Sequence, residues 1–314
     1  MEGKIITHNK VIPYLEKISR DFDVYYPIKI HKDIILTNDK TKISKFHWGI
    51  PHIPPKQILI PPKENIYYYQ NNKIIIPKHN HQTKILFGIH PADIKAISIL
   101  DKIFKQKQYP LSYHQKRNNV YIIGMGQELS SSYFQADIFF KSDADSYEIH
   151  LLNKSAKFLL KYNNIFVSSK FDQSKTSAYI DSLFSNIKSI SLAVEKSHDS
   201  KIWDEIAQIC LGCGICSYIC PLCYCFNHQD SFCMSCKYTA KKQCRWSSCF
   251  EQDFFEISSH NFKNKLRDRL YNWYYHKFVR MPREIGHMGC VDCGRCIKYC
   301  PAKINFKNVL KSII

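Results

Sequence analysis

Residues 1–209 contain no cysteine, although the 314-residue chain has 14 of them. All lie between Cys210 and Cys300. Such confinement excludes a secreted scaffold held by disulfides, which would spread its thiols along the chain. Long apolar runs are also missing. KIIIPK (73–78) and NVYIIG (119–124) fall far short of the roughly 18 apolar residues of a membrane span. The N-terminal MEGKIITHNK lacks the basic-then-apolar pattern of a secretory signal. These absences predict a reduced, cytoplasmic protein with no membrane partner. Glycine is scarce, at 10 residues. Gly124-Met125-Gly126 follows a predicted strand, but Leu129 stands where a dinucleotide fingerprint needs its third glycine. No flavin or NAD is expected to bind this chain.

What is present is ample apolar material, 45% of residues, and a length that suits two domains. In the thiol-free part, short β-rich runs recur between turn signals: 24–30, 33–37, 73–77, 84–89, 119–126 and 136–140. Ile94, Ile97, Leu100, Ile103 and Phe104 recur at helical spacing, and Pro91 suits a first helical turn, predicting a helix over 91–104. A second helix is expected over 177–196, with Tyr179, Leu183, Ile187 and Ile190 on one face, whereas 51–62 reads as extended. The expected fold class is α+β. A mixed α/β domain over 1–198, serving scaffolding and docking, precedes a mostly helical, ferredoxin-like domain over 199–314 that carries a Cys-rich insertion at 221–289.

The thiols themselves fall into two copies of one run: Cys210-x2-Cys213-x2-Cys216-x3-Cys220-Pro221 and Cys290-x2-Cys293-x2-Cys296-x3-Cys300-Pro301. This is the run of bacterial two-cluster ferredoxins, in which the fourth cysteine ligates the other cluster. Three cysteines at two-residue gaps let a tight loop wrap three irons of a cubane. Two [4Fe–4S] clusters are expected: cluster I on Cys210, Cys213, Cys216 and Cys300, and cluster II on Cys290, Cys293, Cys296 and Cys220. Gly212, Gly214 and Gly294 leave the loops open for backbone N–H groups to approach sulfur, which helps set reduction potential. Structural zinc also uses CxxC pairs, but needs neither eight cysteines nor this repeated run.

Six further thiols, Cys223, Cys225, Cys233, Cys236, Cys244 and Cys249, exceed what a third four-ligand site requires. Cys233, Cys236, Cys244 and Cys249 form one candidate quartet for a third Fe–S or zinc site. Cys223 and Cys225 are alternative cluster ligands, and buried free thiols are the plain reading. His228 and His260 are nearby, with solvent-facing positions expected.

The formal charge of +18 counts cysteine as neutral. Residues 201–314 carry 17 basic and 9 acidic side chains, a balance of +8. Two oxidised clusters with their thiolates, each about −2, offset half of that. Segment 261–287 has seven basic side chains and two acids, Asp268 and Glu284. Its Leu266, Leu270, Trp273, Tyr274 and Phe278 recur at helical spacing, so they are expected to pack a core rather than stack bases. The basic side chains are expected to face an acidic partner or to steady cluster charge. No nucleic-acid-binding module accompanies them. A zinc-stabilised nucleic-acid-binding protein is thus the more distant alternative.

ICLGCGICSYICPLCYCF (209–226), RWSSC (245–249), RLYNWYYHKFV (269–279) and CVDCGRCIKYCP (290–301) together resemble one [4Fe–4S] dicluster family. It contains the β subunit of cytosolic NiFe hydrogenase (sulfhydrogenase) and the electron-transfer subunit of anaerobic sulfite reductase. PPKQILIPPKENIYYY (54–69), ILFGIHPADIKAISILDKIF (85–104) and NVYIIG (119–124) resemble its N-terminal domain. The resemblance implies a non-catalytic electron-transfer subunit. Its partners would be NiFe hydrogenase subunits together with a flavin- and NAD(P)-binding subunit. In the alternative, the partner would be a siroheme sulfite reductase subunit. Cys223, Cys225 and Cys249 match family positions, whereas Cys233, Cys236 and Cys244 are additional. This chain departs from the family at His90-Pro91-Ala92-Asp93, where relatives have Arg-Pro-Cys-Asp, and lacks the cysteines that relatives carry shortly after the strand in 121–134.

Overall fold

The computed structural model describes residues 3–77, 82–106, 111–129, 135–162, 164–169, 186–233 and 240–314. By packing they form two compact units. The first comprises Met1–Pro55 with Asn80–Ile180, and the second Lys56–His79 with Asp181–Ile314.

The first unit is built on an eight-stranded mixed sheet. Its order is Val167–Ser169, Gly3–Thr7, Ser146–Leu151, Ile138–Ser142, Val120–Gly126, Lys84–Ile89, Asp23–Ile30 and Asp33–Thr37. The four strands Ile138–Ser142, Val120–Gly126, Lys84–Ile89 and Asp23–Ile30 run parallel, and antiparallel strands extend both edges. Parallel strands need crossovers. The helices Pro91–Gln106 and Leu111–Asn118 supply the one between Lys84–Ile89 and Val120–Gly126. Ile94, Ile97, Leu100, Ile103 and Phe104, the face expected from the sequence, are all buried. The central strands are buried almost throughout, as their near-continuous apolar sequences require. Tyr14 of the helix Val11–Asp21 packs against Phe87 and Phe140 and donates from its hydroxyl to Leu159 O at 3.0 Å.

His150 is 2% exposed in Ser146–Leu151. Burial pulls its pKa below the ordinary 6.5, against the raising effect of Glu148. The unfolded chain then takes up a proton near pH 6.5 that the folded chain resists. The stability so gained is present above 6.5 and is lost as pH falls toward the lower folded value. Chemical denaturation at about pH 7.5 and about pH 5.5 should show the full chain losing stability on acidification. His150→Phe should lose less of it. Equal losses in the two proteins would remove His150 as the cause.

The second unit contains a four-stranded antiparallel sheet in the order Phe226–Phe232, Ala240–Trp246, Lys63–Gln70 and Lys73–Ile75. It also holds a short ladder, Glu256–Ile257 with His260–Asn261. Three expectations are corrected by this arrangement. The single cut near residue 198 gives way to a discontinuous division, because Lys63–Gln70 pairs with Ala240–Trp246 from Tyr69↔Ala240 to Lys63↔Arg245. The second unit is not mostly helical, since the Cys-rich insertion contributes a β-hairpin to this sheet. Segment 51–62 is not wholly extended: Lys56–Leu59 makes a helical turn. Of the helix expected over 177–196, Ile187–Lys196 is present, and 177–185 lies outside the described residues.

The unit's apolar core gathers Trp203, Leu270, Trp273, Tyr274, Phe278 and Phe306 around the two cysteine runs. Trp273, Tyr274 and Phe278 thus pack a core, as their spacing requires. No helix among the described residues is long and apolar enough to cross a membrane.

Candidate metal centre

The two cysteine runs adopt the same local structure. In the first, the helix Ile202–Ile209 ends as Cys210 turns extended, and its N–H bonds Ile206 O at 2.9 Å. Gly212 comes next at φ 63° and Gly214 at φ 70°, the latter opening the turn Ile215–Tyr218. In the second, Asp292 takes φ 52° and Gly294 φ 73° before the turn Arg295–Lys298. Asp292 occupies the place of Gly212. Aspartate tolerates left-handed backbone, and Lys307 holds its carboxylate at 2.7 Å. In both loops the same backbone group reaches the same sulfur. Gly212 N–H donates to Cys210 Sγ at 3.4 Å, and Asp292 N–H to Cys290 Sγ at 3.4 Å. Ile304 N–H adds a donor to Cys300 Sγ at 3.3 Å.

The runs are also interleaved in space. One cavity is lined by Cys210, Cys213 and Cys216 of the first run together with Cys296 and Cys300 of the second. Leu270, Trp273, Tyr274 and Phe306 supply its apolar wall. Burial pushes the Cys210 thiol up, and neighbouring Cys213 and Cys300 push further. In the second run, burial raises Cys296 to about 12, with Cys220 and then Cys293 adding to it. Cys290 is likewise raised by burial, and Cys220 is among its neighbours. Each triplet therefore has the fourth cysteine of the other run beside it. Thiols of both runs around one apolar, part-open cavity, with N–H donors aimed at sulfur, suit a cluster whose charge needs thiolate ligation and hydrogen bonds. Among the described residues, no three His, Cys, Asp or Glu side chains are placed to hold a single metal ion. A cubane makes a different demand, because its thiolates stand at separate corners.

Two buried lysines lie at this centre, and their position was not legible from the sequence. Lys277, 4% exposed, donates to Cys220 Sγ at 3.1 Å and to Gly289 O at 2.9 Å. Its Nζ is also 5.1 Å from the Trp273 ring centroid. Lys56, 3% exposed, donates to Cys223 O and stands 4.4 Å over the Trp246 ring. Burial disfavours charge on both. At Lys277 the sulfurs of Cys220, Cys223 and Cys290 outweigh burial and hold the ammonium above its usual range; at Lys56 burial prevails and lowers it. Charge composition gave the only sequence signal for either residue.

Of the remaining cysteines, Cys223, Cys225 and Cys249 lie near one another and Cys244 stands in a strand. Cys225 and Cys249 are side-chain neighbours, and Ser217 Oγ lies 3.9 Å from Cys249 Sγ. Cys223 neighbours Cys220. Cys244 sits in the strand Ala240–Trp246, opposite His228 and Glu64. Cys236 lies outside the described residues, so the candidate quartet with Cys233, Cys244 and Cys249 is not assembled among them. His228 and His260 are exposed.

This geometry is that of a dicluster iron–sulfur domain, and residues 209–304 match the family model of the 4Fe-4S dicluster domain. Beyond that domain, the likeness to a hydrogenase β subunit runs along nearly the whole chain. The chain is 29% identical to the sulfhydrogenase 2 subunit beta of Pyrococcus furiosus, over 98% of this chain and 97% of that protein. No solved structure matches it.

Proposed function

We propose that the chain is the iron–sulfur electron-transfer component of a hydrogenase complex. As a β subunit it would relay electrons between the NiFe catalytic subunits and a flavin- and NAD(P)-binding subunit. Cys210, Cys213, Cys216 and Cys300 would hold one [4Fe–4S] cluster, and Cys290, Cys293, Cys296 and Cys220 the other. Bound there, the clusters supply one-electron redox chemistry. The chain's own residues bury them, ligate them and donate hydrogen bonds to their sulfurs. The observation that carries this reading is the interleaving: Cys296 and Cys300 of the second run line one cavity with Cys210, Cys213 and Cys216 of the first, and Cys300 neighbours Cys210. The near full-length likeness to a sulfhydrogenase β subunit favours a hydrogenase complex over a siroheme sulfite reductase.

Protein purified anaerobically should contain about eight irons per chain and give [4Fe–4S] EPR signals after dithionite reduction. A tagged chain should bring down flavin- and nickel-containing subunits. Colourless, iron-free protein would remove the cluster reading, and co-purified siroheme would move the chain to the sulfite reductase branch.

A further inference from the structure

The two candidate cluster sites share a loop conformation but not an electrostatic environment. Lys277 stands at the junction of Leu266–Tyr275 and Met281–Ile285, in the π-helical turn His276–Arg280. A π turn inserts one residue into a helix and rotates the residues after it, and such turns gather at functional sites. Here Lys277, Phe278 and Val279 are all buried in succession, which a regular amphipathic helix does not permit. Ser191 Oγ donates to the Phe278 carbonyl at 2.5 Å. Gly289 N–H bonds Lys277 O at 2.7 Å, and a Cβ at Gly289 would lie 2.7 Å from Lys277 Cα. Glycine is thus required where the second run approaches the turn. The Lys277 ammonium is fixed by Gly289 O and Cys220 Sγ, and among the described residues it has no carboxylate partner. Lys56, also without a carboxylate partner among them, stands close by at Cys223. Two buried lysines with no acid between them lie beside sulfur.

We propose that Lys277 is a positioning residue for electrons: its charge-assisted N–H···S bond to Cys220 makes the Cys290–Cys293–Cys296–Cys220 site the higher-potential one of the pair. This role rests on the dicluster reading and adds to it an order between the clusters. Reduction adds one electron to a cluster that is already negative. A fixed positive charge in hydrogen-bond contact with one ligand sulfur stabilises the reduced form more than the oxidised form. At the other site, Cys210 and Cys300 accept from neutral backbone groups, Gly212 N–H and Ile304 N–H. Arg269 is near enough to act on Cys210, but its Nη1 is directed at Lys263 O and Asn264 O. Electrons arriving at the Cys210 side would then run downhill to the Cys220 side.

EPR-monitored redox titration of the full chain, poised with dithionite, tests this. The Cys220-side signal is identified as the one a Cys293→Ser variant loses. In wild type it should have the higher midpoint. Lys277→Met should shift its oxidised-to-reduced ratio at a fixed potential at least tenfold toward oxidised, about 59 mV for a one-electron couple. The other signal should move less, and Lys277→Arg should keep most of the separation. Eight irons with unchanged midpoints in Lys277→Met would overturn the proposal and leave Lys277 an anchor for Gly289. Should Lys277→Met fail to load iron, Lys277→Arg decides: a retained separation supports the proposal, and a collapsed one, or iron loss in both variants, overturns it. An iron-free wild type would instead overturn the dicluster reading itself.

Discussion

Replacing Cys300 with serine is expected to abolish the cluster on the first run and spare the one on its own run. Iron should fall from about eight to about four per chain, and the surviving signal should be the one lost in Cys293→Ser. Cys220→Ser should do the reverse, costing the cluster of the second run. The expectation comes from the cavity that Cys300 lines with Cys210, Cys213, Cys216 and Cys296, and from Cys300 being a neighbour of Cys210. Cys220, in turn, neighbours Cys290 and Cys296. The thiolate is the ligand, and serine is a poor substitute for it at neutral pH. If Cys300→Ser and Cys293→Ser remove the same signal, each run holds its own cluster and the crossed assignment is wrong.

The second large effect is structural. Trp203→Ala should destabilise the chain by about 3–5 kcal/mol, the range for large aromatic truncations in cores. Trp203 is fully buried, and its indole N–H donates to Ser197 O at 2.6 Å. Its ring lies 5.5 Å from Tyr271 and 5.0 Å from Tyr274, centroid to centroid. Tyr274 in turn lines the cysteine cavity. Truncation therefore leaves a void beside the site and takes a donor from the Ser197 carbonyl. Anaerobic urea denaturation, compared with a Leu192→Ala control on an exposed side chain, measures it. A loss no greater than the control's would show that the helix Ile202–Ile209 is not what supports the first run.

Local pattern carried much of this fold. The β-rich runs and the 91–104 helix stand where apolar periodicity places them, because both rest on short-range spacing. The sequence could not announce that Lys63–Gln70 would leave the thiol-free part and pair with Ala240–Trp246. KENIYYYQ is a plausible strand in either unit, and strand partners far apart in sequence are chosen by the packing of whole faces. The Cys-rich insertion was legible as chemistry but not as a β-hairpin, since ligand spacing masked its strand pattern.

At the site, the sequence by itself determined the ligands on offer: two CxxCxxCxxxCP runs, with glycine at Gly212, Gly214 and Gly294 where the backbone turns left-handed. Metal-binding loops are local, so their spacing is their geometry. Only the tertiary structure decided what surrounds them. Lys56 and Lys277 are two lysines among many in a basic chain, and nothing in their spacing marks them as buried. A π turn, a glycine at 289 and a strand crossing from the other end of the chain bring their ammonium groups to the cysteines. Burial of a charge depends on every element packed around it, and no local pattern records that.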